Sequence, residues 1–276
     1  MPLRFTKVEG LGNDFLLLDR VDATLESIEL ELAELREAAP RLCDRRRGVG
    51  GDGILVVGPP RHGSSDATMW VVNHDGSRPQ MCGNGLRCVA LWLARHHGDA
   101  HRELAVDTDA GRKRCQVGER DGTPWVEVDM GPGRELGSVV PAAGDGRGFV
   151  RVSMGNPHAI AFVNPGEDPE TLARTLGPGV ERDPAFEEGT NVELARLEPG
   201  GAITLWVWER GCGITDACGT GACATAYAAV RRGDRPSDEA IEVRLPGGSL
   251  SIRVPADPAV GIRMGGPARL VFSGEV

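Results

Sequence analysis

Two cysteines stand in settings that simple packing does not call for. Cys82 lies in the run MCGNGLRC (81–88) and Cys218 in ACGTGACA (217–224); each is followed by Gly-x-Gly and then by an apolar helical pattern. A cysteine at a helix start faces unpaired backbone N–H groups and the positive end of the helix dipole, and both favour the thiolate. From an ordinary value of about 8.5, such a setting can bring a thiol pKa towards neutrality. The glycines beside Asn84 and Thr220 remove Cβ atoms, so a ligand can approach the backbone closely. Cys-Gly-x-Gly therefore combines a reactive thiol with N–H groups able to hold a carboxylate.

One such site would suit nucleophilic or redox chemistry. Two, placed equivalently in two halves of a chain, suit a cleft with a thiol on each face. There, one thiolate removes an α-proton while the opposite thiol delivers another to the far side of the carbon, which inverts without a covalent intermediate. The α-proton of an amino acid is too weakly acidic for a thiolate in water, so the planar anion must be stabilised by helix N-termini in a closed, dry site. Cys43, Cys88, Cys115, Cys212 and Cys223 read as small buried hydrophobes. With seven cysteines, no C-x-x-C pair and no apolar export segment, neither a disulfide framework nor a metal site is expected.

Short β-rich runs recur along the chain, among them FLLLD (15–19), ILVVG (54–58), TMWVVN (68–73), AIAFVN (159–164), ITLWVWER (203–210) and ARLVF (268–272). Few helices interrupt them. Helical patterns are expected near 25–38, near 40–47 with Pro40 at the start, near 168–176, and at 85–98 and 221–233 following the two cysteines. The last two are apolar on most faces, which predicts burial at the centre of a domain.

The landmarks repeat in order. Asn13 and Asn156 are 143 residues apart, Cys82 and Cys218 are 136 apart, and Asn73 and Glu209 each stand nine residues before their cysteine. This is the signature of an internal duplication. The fold class expected is α+β (mixed α/β), with two pseudo-symmetric domains, each a strand-rich wrap around a central helix, and the active site in the cleft between them. The expected halves are 1–120, joined by the C-terminal strand 266–276, and 121–265.

A net charge of −9 over 276 residues argues against nucleic-acid or anionic-membrane partners. No apolar run approaches the roughly 20 residues of a membrane span, and a cytoplasmic location is expected. GVGGDG (48–53) matches G-x-G-x-x-G, but a charged segment precedes it and a strand follows, the reverse of a dinucleotide site. From composition alone Asn13, Asn156 and Asn191 read as turn residues, His158 as a turn residue with a satisfied ring, and Glu209 and Arg210 as a solvated pair.

At this point the chain resembles the pyridoxal-independent diaminopimelate epimerases. GLGNDF (10–15), GVGGDG, NHDGS (73–77), MCGNGLRC, GNPH (155–158), GTN (189–191), ERG (209–211) and ACGTGACA match that family's motifs in order, over nearly the whole chain. The resemblance implies an isomerase that interconverts LL- and meso-diaminopimelate for lysine and peptidoglycan synthesis, with no cofactor and a small-molecule substrate as its partner. It implies that Cys82 and Cys218 are the acid/base thiols, that His158 and Glu209 tune them, and that Asn13, Asn73, Gly83, Asn84, Asn156, Asn191, Glu209, Arg210, Gly219 and Thr220 contact substrate. Many members carry Gln where Gly53 stands, so that contact is lost here or made by water.

Proline racemases and hydroxyproline epimerases use the same two-thiol logic but typically carry His at the position of Asn84. Phenazine-biosynthesis isomerases share the fold but generally lack both cysteines. A thiol redox protein would leave the Asn and Glu–Arg set unexplained. A homodimer is the assembly to test, since the sequence leaves the oligomeric state open.

Overall fold

A computed structural model describes residues 2–99 and 101–276. The chain forms two compact units, one comprising Met1–Val128 with Gly266–Val276, the other Asp129–Gly265.

In the first unit the strands Arg269–Glu275, Arg4–Gly10, Asn13–Asp19, Gly53–Gly58, Ala67–Asn73, Arg102–Thr108, Gly111–Arg120 and Thr123–Asp129 lie side by side in that order. Successive neighbours are antiparallel, except that 13–19 with 53–58 and 67–73 with 102–108 are parallel. A parallel pair needs a crossover, and each crossover is a helix. The first is α1 (Leu25–Leu42) and the second α2 (Gly83–His96).

Helix α1 is amphipathic. It is capped by Thr24, whose hydroxyl accepts from the Ser27 N–H at 3.2 Å, and it buries Ile28, Leu32, Leu35, Ala39 and Leu42 against Leu16, Leu18, Ile54, Val56 and Trp70. It does not break before Pro40, as the sequence pattern predicts, but runs through it to Leu42. A proline this close to a helix end removes only one N–H bond, and burial of Ala39 and Leu42 outweighs that loss. Helix α2 is the unit's centre. Every residue from Gly83 to Ala94 is buried, and the helix touches strands 4–10, 13–19, 53–58, 67–73, 102–108, 111–120 and 269–275. Enclosure on all sides explains why its apolar residues do not follow one stripe.

The second unit repeats the plan. Strands Arg134–Val139, Phe149–Ser153, Pro157–Phe162, Asn191–Leu197, Ile203–Glu209, Ala240–Leu245, Gly248–Arg253 and Arg263–Pro267 neighbour one another in the same pattern of senses, with parallel pairs at 157–162/191–197 and 203–209/240–245. The crossovers are α3 (Pro169–Glu181) and α4 (Gly219–Arg231), and the latter is buried from Ala222 to Val230. The duplicated, strand-rich α+β architecture expected from the sequence is therefore present. Both central helices begin two residues earlier than the periodicity indicates, because the cysteine itself is the N-cap. Among the described residues no helix is long and apolar enough to cross a membrane.

Helix α3 packs so closely on its sheet that a Cβ at Gly177 would lie 2.6 Å from the Cβ of Trp208. Gly177→Ala is expected to destabilise the second unit by about 1–3 kcal/mol through overpacking, measured by urea unfolding; an unchanged midpoint would contradict this packing.

Candidate active site

The two cysteines occupy matching positions. Cys82 has extended backbone angles, φ −131° and ψ 116°, and its sulfur accepts from the Gly85 N–H at 3.4 Å. Cys218 has φ −115° and ψ 103°, and its sulfur accepts from the Gly221 N–H at 3.3 Å. Each thiol thus does what a serine or aspartate usually does at a helix start. Gly85 and Gly221 permit this, since a Cβ at Gly85 would meet Leu55 at 2.8 Å and one at Gly221 would meet Glu193 Oε1 at 2.9 Å.

Around Cys82 the sequence-selected residues Asn13 and Asn84 converge. Asn13 Oδ1 accepts from Asn84 Nδ2 at 3.1 Å and from the Cys82 thiol at 3.8 Å. Asn73, at the end of strand 67–73, instead donates to Ser77 Oγ at 2.9 Å across the HDGS turn. Gly53 lies opposite Asn73, and a Cβ there would meet the Val72 carbonyl oxygen at 2.5 Å. A side chain at this position would require the backbone to move.

Around Cys218 the set is denser. Its sulfur lies 3.6 Å from the Thr220 hydroxyl, and the Glu209 carboxylate acts on it electrostatically. Asn156 Nδ2 donates to Thr220 Oγ1 at 3.3 Å, and Asn156 Oδ1 lies 3.0 Å from His158 Nε2. Asn191 donates to the Pro157 carbonyl at 2.9 Å and accepts from the Arg210 N–H at 2.9 Å. Glu209 and Arg210 do not pair with each other. Glu209 accepts from the Thr215 hydroxyl, whereas the Arg210 guanidinium donates to the Glu188 carbonyl at 2.9 Å.

Charge acts on Cys218 against the simple helix-start expectation. Burial, followed by the Glu209 and Glu193 carboxylates, pushes this thiol well above the ordinary cysteine range, despite bonds from Thr220 and Gly221. Desolvation of the thiolate and two nearby negative groups outweigh one N–H bond and the dipole. Burial likewise raises Glu209 and Glu193, opposed for Glu209 by Thr215 and for both by His158.

Several positioning residues escaped the sequence reading. Asp52, within the decoy GVGGDG, accepts from Asn13 Nδ2 at 2.7 Å and from the Asp14 N–H at 3.0 Å, and is itself bound by Arg45 at 2.7 Å. Arg87 is fully buried in α2 and donates to Asn84 Oδ1 at 3.0 Å. Glu181 receives the Gly211 N–H at 2.9 Å and the Trp208 indole N–H at 2.6 Å, holding the turn after Arg210. The one available signal was a charged residue inside a Gly-rich turn or an apolar helix, where solvation alone does not explain it.

Solved structures share this fold. A probable proline racemase from Agrobacterium radiobacter superposes with a TM-score of 0.75 at 17% identity, over 99% of this chain and 92% of that one. A phenazine biosynthesis protein of Bacillus anthracis gives 0.76 at 15% identity, over 100% and 99%. The architecture is thus that of the two-domain racemases, epimerases and their isomerase relatives. The family model for diaminopimelate epimerase matches residues 5–135 and 150–271. The diaminopimelate epimerase of Synechocystis sp. is 40% identical, over 100% of this chain and 99% of its own length, and that of Desulforudis audaxviator is 41% identical over 99% of each. The chain belongs to the diaminopimelate epimerase family.

In protein without substrate, alkylation of Cys218 is expected to keep rising beyond about pH 9 when followed cysteine by cysteine by mass spectrometry. Glu209→Gln removes a negative charge beside the sulfur and should move that rise to lower pH. A parent profile that levels off where an ordinary thiol does would show that the carboxylates do not act on Cys218 as described.

Proposed function

We propose that the chain interconverts LL- and meso-2,6-diaminopimelate by moving the proton on one α-carbon between two thiols, without a cofactor, in the cytoplasmic supply of lysine and peptidoglycan precursors. The observation that carries this reading is the pair of N-cap cysteines, each on a Gly-x-Gly helix start in one of two duplicated units, in a chain of this family.

Cys82 and Cys218 act on opposite faces of the carbon, one as base and the other as acid. The reacting carboxylate is held by the N–H groups of Gly83-Asn84 and Gly219-Thr220, which oppose the charge that builds as the α-proton leaves. Asn13, Asn73, Asn156, Asn191, Glu209 and Arg210 supply the contacts that distinguish a substrate with a second amino-acid end. His158 and Glu209 tune the thiol of α4. With Cys218 held as a thiol, it is the acid of a turnover that begins from this state, and Cys82 is the base. The reverse turnover exchanges the roles.

The direct test is proton NMR of LL-diaminopimelate in D₂O with reduced protein, with L-proline and 4-hydroxyproline in parallel. Loss of the α-proton signal from diaminopimelate alone, with meso product, is the expected result; exchange into proline instead would refute the substrate assignment. Cys82→Ala and Cys218→Ala should each lower epimerisation by about 10²–10⁴-fold, and either variant retaining the parent rate would refute the mechanism. Asp52→Ala releases Asn13 and should lower kcat/KM by about tenfold. An unchanged kcat/KM would mean that Asn13 holds its place without Asp52.

A further inference from the structure

The duplication supplies an internal control for one buried pair. Strand 13–19 corresponds to 157–162, and strand 53–58 to 191–197. Phe15 lies opposite Gly53, and His158 opposite Asn191; two residues further along stand Leu55 and Glu193. The match holds in space, since Leu55 lies under Gly85 of α2 as Glu193 lies under Gly221 of α4. The first unit therefore builds the floor beneath its helix start from two apolar side chains, Phe15 at 2% and Leu55 at 0% exposure. The second builds the same floor from a histidine at 1% and a glutamate at 0%.

A buried ionisable pair is costly where an apolar pair fits. The first unit shows that this fold accepts the apolar pair, so scaffolding alone does not require the polar one. Its bonds run towards the thiol. Glu193 Oε1 lies 2.6 Å from His158 Nδ1. The Asn156 amide nitrogen donates to Thr220, so its oxygen faces the ring and His158 Nε2 carries the hydrogen between them. Both ring nitrogens are thereby occupied. One proton lies between Nδ1 and the carboxylate, and the ring itself has no position left to take a proton from substrate. Glu193 Oε2 accepts no hydrogen bond.

We infer that Glu193 is a positioning residue for the second thiol: it fixes the His158 ring with hydrogen on Nε2, and through Asn156 and Thr220 this sets the first turn of α4 around Cys218. The inference deepens the two-thiol reading and rests on it for its effect on turnover. Other groups facing Cys218 are Glu209, from strand 203–209, and the Thr220 hydroxyl and Gly221 N–H of its own helix.

The test compares the parent with Glu193→Gln and with the double variant His158→Phe/Glu193→Leu, which copies the floor of the first unit. In protein labelled with ¹⁵N-histidine, the parent should show one slowly exchanging, far-downfield ring proton, and Glu193→Gln should lose it. For Glu193→Gln, kcat for diaminopimelate should fall by about tenfold or more while KM changes by less than about threefold. The rate of Cys218 alkylation relative to Cys82 should change, because only one thiol stands on this floor. The double variant should unfold no earlier than the parent and yet be as slow as Glu193→Gln, which separates positioning from stability.

Glu193→Gln with parent kcat and a parent alkylation ratio would overturn the inference, as would both thiols changing in step with a lowered melting temperature. If the parent does not epimerise diaminopimelate at all, the function reading fails. The ring proton and the alkylation ratio still decide whether Glu193 governs Cys218.

Discussion

The whole arrangement depends on a backbone N–H group at the start of each central helix finding its partner in a cysteine sulfur. A helix start leaves N–H groups that must be satisfied, and a buried start cannot use bulk water. Placing the sulfur in the N-cap position satisfies one of them with the atom to which we assign the chemistry. This fixes the thiol to within a hydrogen bond, 3.4 Å in the first unit and 3.3 Å in the second. The helix must then be held on all sides, since a rotation would take the sulfur with it. The strand wrap follows from that requirement, as do the glycines three residues after each cysteine, where the floor of the site approaches too closely for a side chain.

The same burial that orders the sulfur makes its charge costly. At Cys218 the balance runs against ionisation, because desolvation and two carboxylates act together. A helix dipole is worth at most a kcal/mol or two near a terminus, whereas removing a thiolate from water beside like charge costs more. A thiol so placed is suited to deliver a proton.

Much of this was legible in the sequence. The duplication could be read because Asn13/Asn156, Asn73/Glu209 and Cys82/Cys218 kept their order, and a buried central helix because its apolar residues filled most faces. Helix ends were legible only to about two residues: no propensity scale treats cysteine as a cap, and Pro40 is a stop signal in sequence but lies inside α1. The sign of the Cys218 shift was not legible, since it is set first by burial and then by Glu209 and Glu193, which stand 9 and 25 residues away in the chain. Asp52 was missed for a related reason. Its Gly-rich surroundings read as a turn, and its contact with Asn13 crosses 38 intervening positions.

Duplication alone yields two alike sites, whereas inversion at carbon needs a donor and an acceptor at any moment. The symmetry has to be broken by neighbours of the thiols, since the thiols and their caps are the same. Three positions do so in register: Phe15 against His158, Leu55 against Glu193, and Asn73 against Glu209. In each pair the first unit carries a neutral group and the second an ionisable one. At these three positions the second helix start thus stands on ionisable groups where the first stands on neutral ones. Fold similarity at 15–17% identity reaches relatives that need not share this chemistry, because the wrap and the central helix can be kept while these few floor positions change.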